Sequence, residues 1–244
     1  MQPTAVVLLS GGIDSAVCLA LSIEEYGSDN VVPLNIRYGQ KHSIEHEAAH
    51  RIWEHYNVRM LENIVIPKHI FGEYCTLIEG NEEVPEGDYD SEVPSTYVPF
   101  RNGLFLSIAA AYAATGTTPK FVVYGAHIED FNVIRRGPYP DTSFEFNGAM
   151  ASAISTGTNG VVKLQTPLQW MSKAEIVKLG LELGVPFELT YSCYNGREKH
   201  CGKCATCISR INAFKANKAV DPVEYEIDVD FETDEKIDLM NRGN

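Results

Sequence analysis

The segment Ala5–Leu21 (AVVLLSGGIDSAVCLAL) constrains this chain more than any other. An apolar, β-favouring run stops at Ser10-Gly11-Gly12. Beyond Asp14-Ser15 the pattern becomes helical, with Val17, Leu19, Ala20 and Leu21 as its apolar positions. This predicts a strand, a glycine turn and a helix. Two glycines let the backbone come close to a ligand, and the helix start behind them presents unpaired N–H groups at the positive end of its dipole. Such a turn cradles an anion, most often phosphate. It is neither the Gly-Lys-Ser/Thr loop of nucleoside triphosphatases nor the GxGxxG dinucleotide turn.

The chain then alternates strands and helices. Residues 31–36 (VVPLNI) predict a second strand with an irregular start at Pro33, running into Arg37-Tyr38-Gly39-Gln40. Residues 43–56 predict a helix with Ile44, Ala48, Ile52 and Tyr56 on one face, and 58–66 a third strand. Connections too long for hairpins imply an α/β fold, an open parallel sheet with helices on both faces. Ligands bind such sheets at the carboxyl ends of the strands, where Ser10–Ser15 and residues 37–40 both fall.

Residues 68–98 are aperiodic and acidic and read as a lid or insert. Tyr97–Asn102 leads into a small-residue helix through Ala114, expected to be mostly buried. A strand at 121–124 ends in the polar cluster Gly125–Asp130, and Tyr139-Pro140-Asp141 precedes a helix at 144–155. After a short strand at 161–164, Ser172-Lys173-Ala174-Glu175 fits a capping box opening a helix to about Leu183.

Six cysteines without a signal-peptide pattern point to a reducing, cytoplasmic setting and to metal or thiol chemistry before disulfides. Cys18 lies among apolar helix residues as a small buried hydrophobe, and Cys75 stands alone. Cys193, Cys201, Cys204 and Cys207 carry two successive C-x2-C steps, which put three thiolates on one tight turn while the fourth returns from upstream. Four cysteines close a coordination sphere, so a structural zinc ion is expected. An iron–sulfur cluster takes the same ligands, but no redox or radical motif accompanies them. His200 is expected beside the ligand set or at the surface, and residues 208–216 as a helix packing the module back.

The organisation that follows is an anion-binding α/β domain at 1–190, its anion being ATP on the resemblance given below, with the insert at 68–98, a zinc module at 191–220 and an acidic tail at 221–244. The tail holds nine acids against Lys236 and Arg242, −7 of the net −13, and reads as a solvated end. The charge argues against a general nucleic-acid binder, and no apolar stretch is long enough to span a membrane.

SGGIDS resembles the SGGxDS loop of the ATP pyrophosphatases, which adenylate a substrate oxygen and release pyrophosphate. SGGIDS, YGQKH with Glu45, VPFRNGLFLS, GAHIED, YPD, TPLQWMSKAEIVKLG and SCYNG with HCGKCATC run in order from residue 10 to about 213. With this set the chain closely resembles the 7-cyano-7-deazaguanine synthase family of queuosine biosynthesis. The resemblance implies a Rossmann-like fold of the adenine nucleotide alpha hydrolase type, a homodimer, and ATP, 7-carboxy-7-deazaguanine and ammonia as substrates. It implies that Ser10, Gly11, Gly12, Asp14 and Ser15 hold the triphosphate, with Asp14 as a candidate for magnesium, and that Tyr38 borders adenine. Lys173 would neutralise phosphate charge. Arg101, Asn102, Glu129, Asp130 and Asp141 would form the deazaguanine pocket, so that Asp14, Lys173 and Arg101 carry catalysis.

Three departures fall near that pocket. Arg37 precedes Tyr-Gly-Gln where an acid is common in the family, residues 131–138 form a longer link than expected, and Thr142 follows YPD where cysteine is frequent. An alternative keeps the adenylation but stops at the amide or transfers the deazaguanine to another amine. A nucleic-acid-binding role for the zinc module is weakened by the scarcity of aromatic–basic clusters.

Overall fold

The computed structural model describes residues 4–40, 43–58, 61–71, 75, 77, 96–115, 120–130 and 139–233. Its first strand, β1 (Thr4–Leu8), occupies the centre of a five-stranded parallel sheet ordered β3-β2-β1-β4-β5. The others are β2 (Val31–Arg37), β3 (Glu62–Val65), β4 (Lys120–Val123) and β5 (Val162–Gln165). Ala5 pairs with Val31 on one side and Phe121 on the other. Side chains alternate along a strand, so Ala5 and Val7 enter one core layer and Val6 the other. The first layer is covered by α1 (Ile13–Tyr26), α2 (Ile44–Tyr56), α5 (Lys173–Glu182) and α6 (Ala205–Ala216), which bury Val17, Ile52, Ile176 and Phe214. The second is covered by α3 (Arg101–Ala113) and α4 (Phe144–Gly157), through Leu106, Ala109 and Ile154. This is the open parallel sheet covered on both faces that the sequence implies.

The chain runs outward from β1 to β2 and β3, then returns to lay β4 on the far side of β1. Strand order therefore reverses between β1 and β4, and the crevice at their carboxyl ends is the natural ligand site. SGGIDS leaves β1 and GAHIED leaves β4 there.

Several expectations change. β2 runs through Pro33 without irregularity. Leu34 makes the ladder bond to β1, its carbonyl accepting from Leu9 N at 2.9 Å, so Pro33 turns its missing N–H toward β3, whose pairing starts only at Leu34. The helix α3 is buried along one face, at Gly103, Leu106, Ala109, Ala110 and Ala113, while Ser107 and Ala111 are exposed. The last helix begins before Cys207, with Cys204 at its N-cap, so the second C-x2-C step spans a helix start and not one tight turn. Most of 68–98, all of 131–138, His42 and residues 234–244 lie outside the described residues.

The tail is the largest correction. Residues 221–231 pack back onto the cysteine module. Asp221 is buried and pairs bidentately with buried Arg210, at 2.6 Å to Nε and 2.8 Å to Nη2. Tyr225 donates its hydroxyl hydrogen to the same carboxylate at 2.6 Å. The backbone of 224–226 bridges His200 through bonds of 2.9 and 2.8 Å, and Phe231 packs against the first core layer. Counting tail charges could not reveal this, because the cation that takes Asp221 into the interior sits on a helix eleven residues earlier.

Candidate active site

The loop after β1 is built around Gly11. Its φ of +99° is left-handed, and a Cβ there would collide with the carbonyl oxygen of Glu45 and lie 2.9 Å from Ala49 N on α2. Gly11 N–H donates to Ser15 Oγ at 3.3 Å, and that hydroxyl donates to Gly12 O at 3.0 Å. Ser10 Oγ lies 3.1 Å from Ser15 Oγ and 3.4 Å from Gly12 N. Gly12 is the N-cap of α1 and offers no side chain to cap it, so the first-turn N–H groups stay available to an anion.

Two polar clusters flank the loop. In the first, the capping box at Ser172 and Glu175 forms as expected and starts α5 at Lys173. The Lys173 ammonium lies 2.6 and 2.7 Å from the two carboxylate oxygens of Asp14, in the first turn of α1. Its other neighbour is His127 Nε2, at 3.2 Å. The same nitrogen is 3.2 Å from Asp130 Oδ1 and 3.9 Å from Asp14 Oδ2. Burial alone would raise the Asp14 carboxyl, but Lys173 and then His127 overcome it and hold Asp14 below its usual range. For Asp130 burial prevails over His127 and Lys173, and its carboxyl is raised.

The second cluster opens α3. Arg101 Nη1 donates to Tyr38 Oη at 2.9 Å, and its guanidinium carbon lies 5.5 Å from the Tyr38 ring centre. Asp141 accepts from Asn102 N at 2.9 Å, and its carbonyl accepts from Asn102 Nδ2 at 3.3 Å and from Tyr124 Oη at 3.1 Å. Asp141 therefore caps α3, while Ser143 caps α4 by accepting from Phe146 N. Burial raises the Asp141 carboxyl against the Asn102 N–H and Arg101. Burial acts against the charge of Arg101, but Tyr38 and Asp141 hold it more firmly protonated than usual. Burial also raises the Tyr38 hydroxyl and the Glu45 carboxyl, with Arg101 opposing both.

Of the residues expected at the site, the structure brings Asp14, Lys173 and Asp130 together, and separately Tyr38, Arg101, Asn102 and Asp141. Glu129 is exposed on its turn, apart from both groups. Sequence reasoning missed His127, Tyr124 and Asn35. Asn35 is buried in β2, where its Nδ2 donates to Leu9 O at 2.7 Å, just before the loop. His46, on α2, lies 2.7 Å from Asn35 Oδ1 through Nδ1 and is half-buried. Arg37 is exposed, and Thr142 donates to Tyr139 O at 2.6 Å.

The four cysteines of the module are buried, with ligand sulfurs all within 4.8 Å of one another. Cys201 Sγ and Cys207 Sγ are 3.9 Å apart, close to the roughly 3.8 Å that a tetrahedron with 2.3 Å metal–sulfur bonds requires. Backbone N–H groups of Asn195 and Cys201 donate to Cys193 Sγ, and those of Lys203 and Cys204 to Cys201 Sγ, at 3.3–3.4 Å. Such donors suit thiolates, so the set fits a metal ion. His200 is buried beside the set; burial and then Arg210 push it down to about 4, leaving Nε2 to accept from Ser192 N at 3.1 Å.

A glycine turn after the central strand, set at a switch-point crevice beside a lysine–aspartate pair, is an arrangement suited to an ATP-dependent α/β enzyme. Comparison with known proteins narrows this. A family model described as "Queuosine biosynthesis protein QueC" matches residues 4–218, and the chain belongs to that family. It is 42% identical over 230 residues to the 7-cyano-7-deazaguanine synthase of Picrophilus torridus, covering 91% of each chain. With the Archaeoglobus fulgidus enzyme of the same name it shares 42% over 221 residues, 90% of this chain and 89% of that one. Among solved structures, the NMN synthetase of Francisella tularensis superposes with a TM-score of 0.46 at 17% identity, over 82% of this chain and 70% of that one. No helix among the described residues is long and apolar enough to cross a membrane.

Proposed function

We propose that this protein converts 7-carboxy-7-deazaguanine and ammonia to 7-cyano-7-deazaguanine at the expense of ATP. The observation that carries the reading is Lys173 held against Asp14 at the mouth of the glycine loop, a cation fixed beside the place a triphosphate would occupy. A carboxylate resists ammonia because its leaving group would be oxide. Attack of a carboxylate oxygen on the α-phosphorus of ATP expels pyrophosphate and leaves an acyl adenylate. Ammonia then displaces AMP, loses a proton and gives the amide. Attack of the amide oxygen on the α-phosphorus of a further ATP expels a second pyrophosphate, and loss of AMP and both nitrogen-bound protons from the adenylated amide gives the nitrile.

In this reading Ser10, Gly11, Gly12 and Ser15 receive the phosphates through N–H and hydroxyl groups, and Lys173 leaves Asp14 to offset charge that develops during transfer. Magnesium, whose hard-oxygen preference suits the Asp14 carboxylate, would neutralise phosphate charge when bound there. Tyr38 borders adenine. Arg101 meets the substrate carboxylate, while Asn102, Asp130 and Asp141 surround the guanine-like edge, which offers N–H donors. Zinc is the ion that best suits four cysteines with no open position, and its role is structural. We also propose a cytoplasmic homodimer.

The test is incubation of the purified protein with ATP, magnesium, ammonium and 7-carboxy-7-deazaguanine, with mass spectrometry of the base. The nitrile is the expected product. Accumulation of the amide as the end product would move the assignment to an amide-forming relative, and an untouched acid would remove it.

A further inference from the structure

The orientation of one peptide in the loop decides whether it can bind an anion. A trans peptide points its C=O and N–H in opposite directions. Gly11 O accepts from Tyr191 N at 2.9 Å, so the N–H of Gly12 points away from Tyr191, to the exposed side where Ser10 Oγ lies 3.4 Å away. Glycine on both sides of this peptide makes the flipped orientation sterically cheap, and a flip would present a carbonyl oxygen to the phosphates. Within the loop only the long 3.4 Å bond from Gly12 N–H to Ser10 Oγ opposes it. The shorter bond, 2.9 Å from Tyr191 N to Gly11 O, is the stronger restraint.

Tyr191 lies in a segment tied down at every residue. Thr190 Oγ1 accepts from Arg210 Nη1 at 2.7 Å. Ser192 N donates to His200 Nε2 at 3.1 Å, and Ser192 O accepts from Thr206 Oγ1 at 2.6 Å. Cys193 belongs to the sulfur cluster. His200 is 3% exposed and sits between the rings of Tyr191 and Tyr225, with centroids 4.7 and 5.7 Å away. His200, Thr206 and Arg210 all come from the cysteine module and its helix.

We propose that Thr190–Cys193 is a strap through which the cysteine module fixes the Gly11–Gly12 peptide, making His200 and Thr206 positioning residues for nucleotide phosphates that they do not touch. The inference rests on the reading of the loop as a nucleotide site. The module thereby supports nucleotide affinity as well as the fold.

The test uses the full-length, metal-loaded protein with His200→Leu, His200→Gln and Thr206→Val. Metal content, ATP dissociation constant by calorimetry, and KM and kcat are measured for each. His200→Leu and Thr206→Val are expected to keep their metal and to weaken ATP binding and raise the ATP KM about tenfold, with kcat nearly unchanged. His200→Gln, which can still accept from Ser192 N, recovers most of the loss. ATP affinity equal to wild type in metal-loaded His200→Leu and Thr206→Val overturns the strap. If His200→Leu loses its metal, Thr206→Val decides alone. Failure of the wild-type protein to bind ATP overturns the functional reading instead.

Discussion

Replacing Lys173 with methionine is expected to lower turnover about a thousandfold, read as the rate of base conversion at saturating ATP. Methionine keeps an unbranched apolar stem and removes the ammonium that Asp14 and the nucleotide would share. Stability changes too, because the half-buried Asp14 carboxylate loses a partner at 2.6 Å; a cost of about 2 kcal/mol at neutral pH is expected. The pH dependence separates the two effects. In the wild type the folded Asp14 value lies below its unfolded value near 3.8, so its stabilisation is present above that pH and is lost as pH falls through the folded value. Without Lys173 the folded value rises, because burial is then opposed only by His127 and a backbone hydrogen bond. The variant is then closest to wild type in acid and falls behind as pH rises. Adding Asp14→Asn should restore stability at neutral pH without restoring turnover; denaturant titration of the wild type and the two variants measures the first and the rate of base conversion the second.

Asp221→Ala is expected to cost about 3–5 kcal/mol and to lower Tm by about 10 °C. The charge of Arg210 is enclosed, with side-chain exposures of 1% and 0% for the pair. Its guanidinium also donates to Phe187 O at 3.1 Å, to Thr190 Oγ1 and to Ser192 Oγ at 3.3 Å, and stacks on Phe214. Removing the acid strands a buried cation, which is worse than removing both partners. The double variant Arg210→Met/Asp221→Leu should therefore be more stable than Asp221→Ala, by thermal melts at matched metal content. A melt of Asp221→Ala matching wild type would return this part of the tail to a solvated end.

Much of the architecture was legible because local patterns encode it. The turn at Ser10–Gly12 and the capping box at Ser172–Glu175 each specify a geometry within a few residues, and the spacing of the four cysteines specifies their cluster, though not the helix start within it. The strand–helix alternation then left few topologies open, and the ends of β1 and β2 fell where the loop and Tyr38 required. What stayed hidden depends on distant partners. His127 sits in a motif between apolar and acidic residues, and only the return of β4 beside β1 places its ring between Lys173 and Asp130. Asn35 looks like an interruption in an apolar strand until Leu9 O and His46 are seen on either side of it. Asp221 looks like one more tail charge because nothing near it in sequence announces Arg210. Glu129, one residue from Asp130, faces solvent, since neighbours on a short turn point in different directions.

Isotope transfer puts the adenylation chemistry under the most direct scrutiny. With 7-carboxy-7-deazaguanine carrying heavy oxygen in its carboxylate, the heavy oxygens should appear in AMP, one AMP for each oxygen removed on the way to the nitrile. Heavy oxygen recovered in inorganic phosphate beside ADP, or in water with AMP unlabelled, would contradict attack on the α-phosphorus and with it the role assigned to the loop that opens this chain.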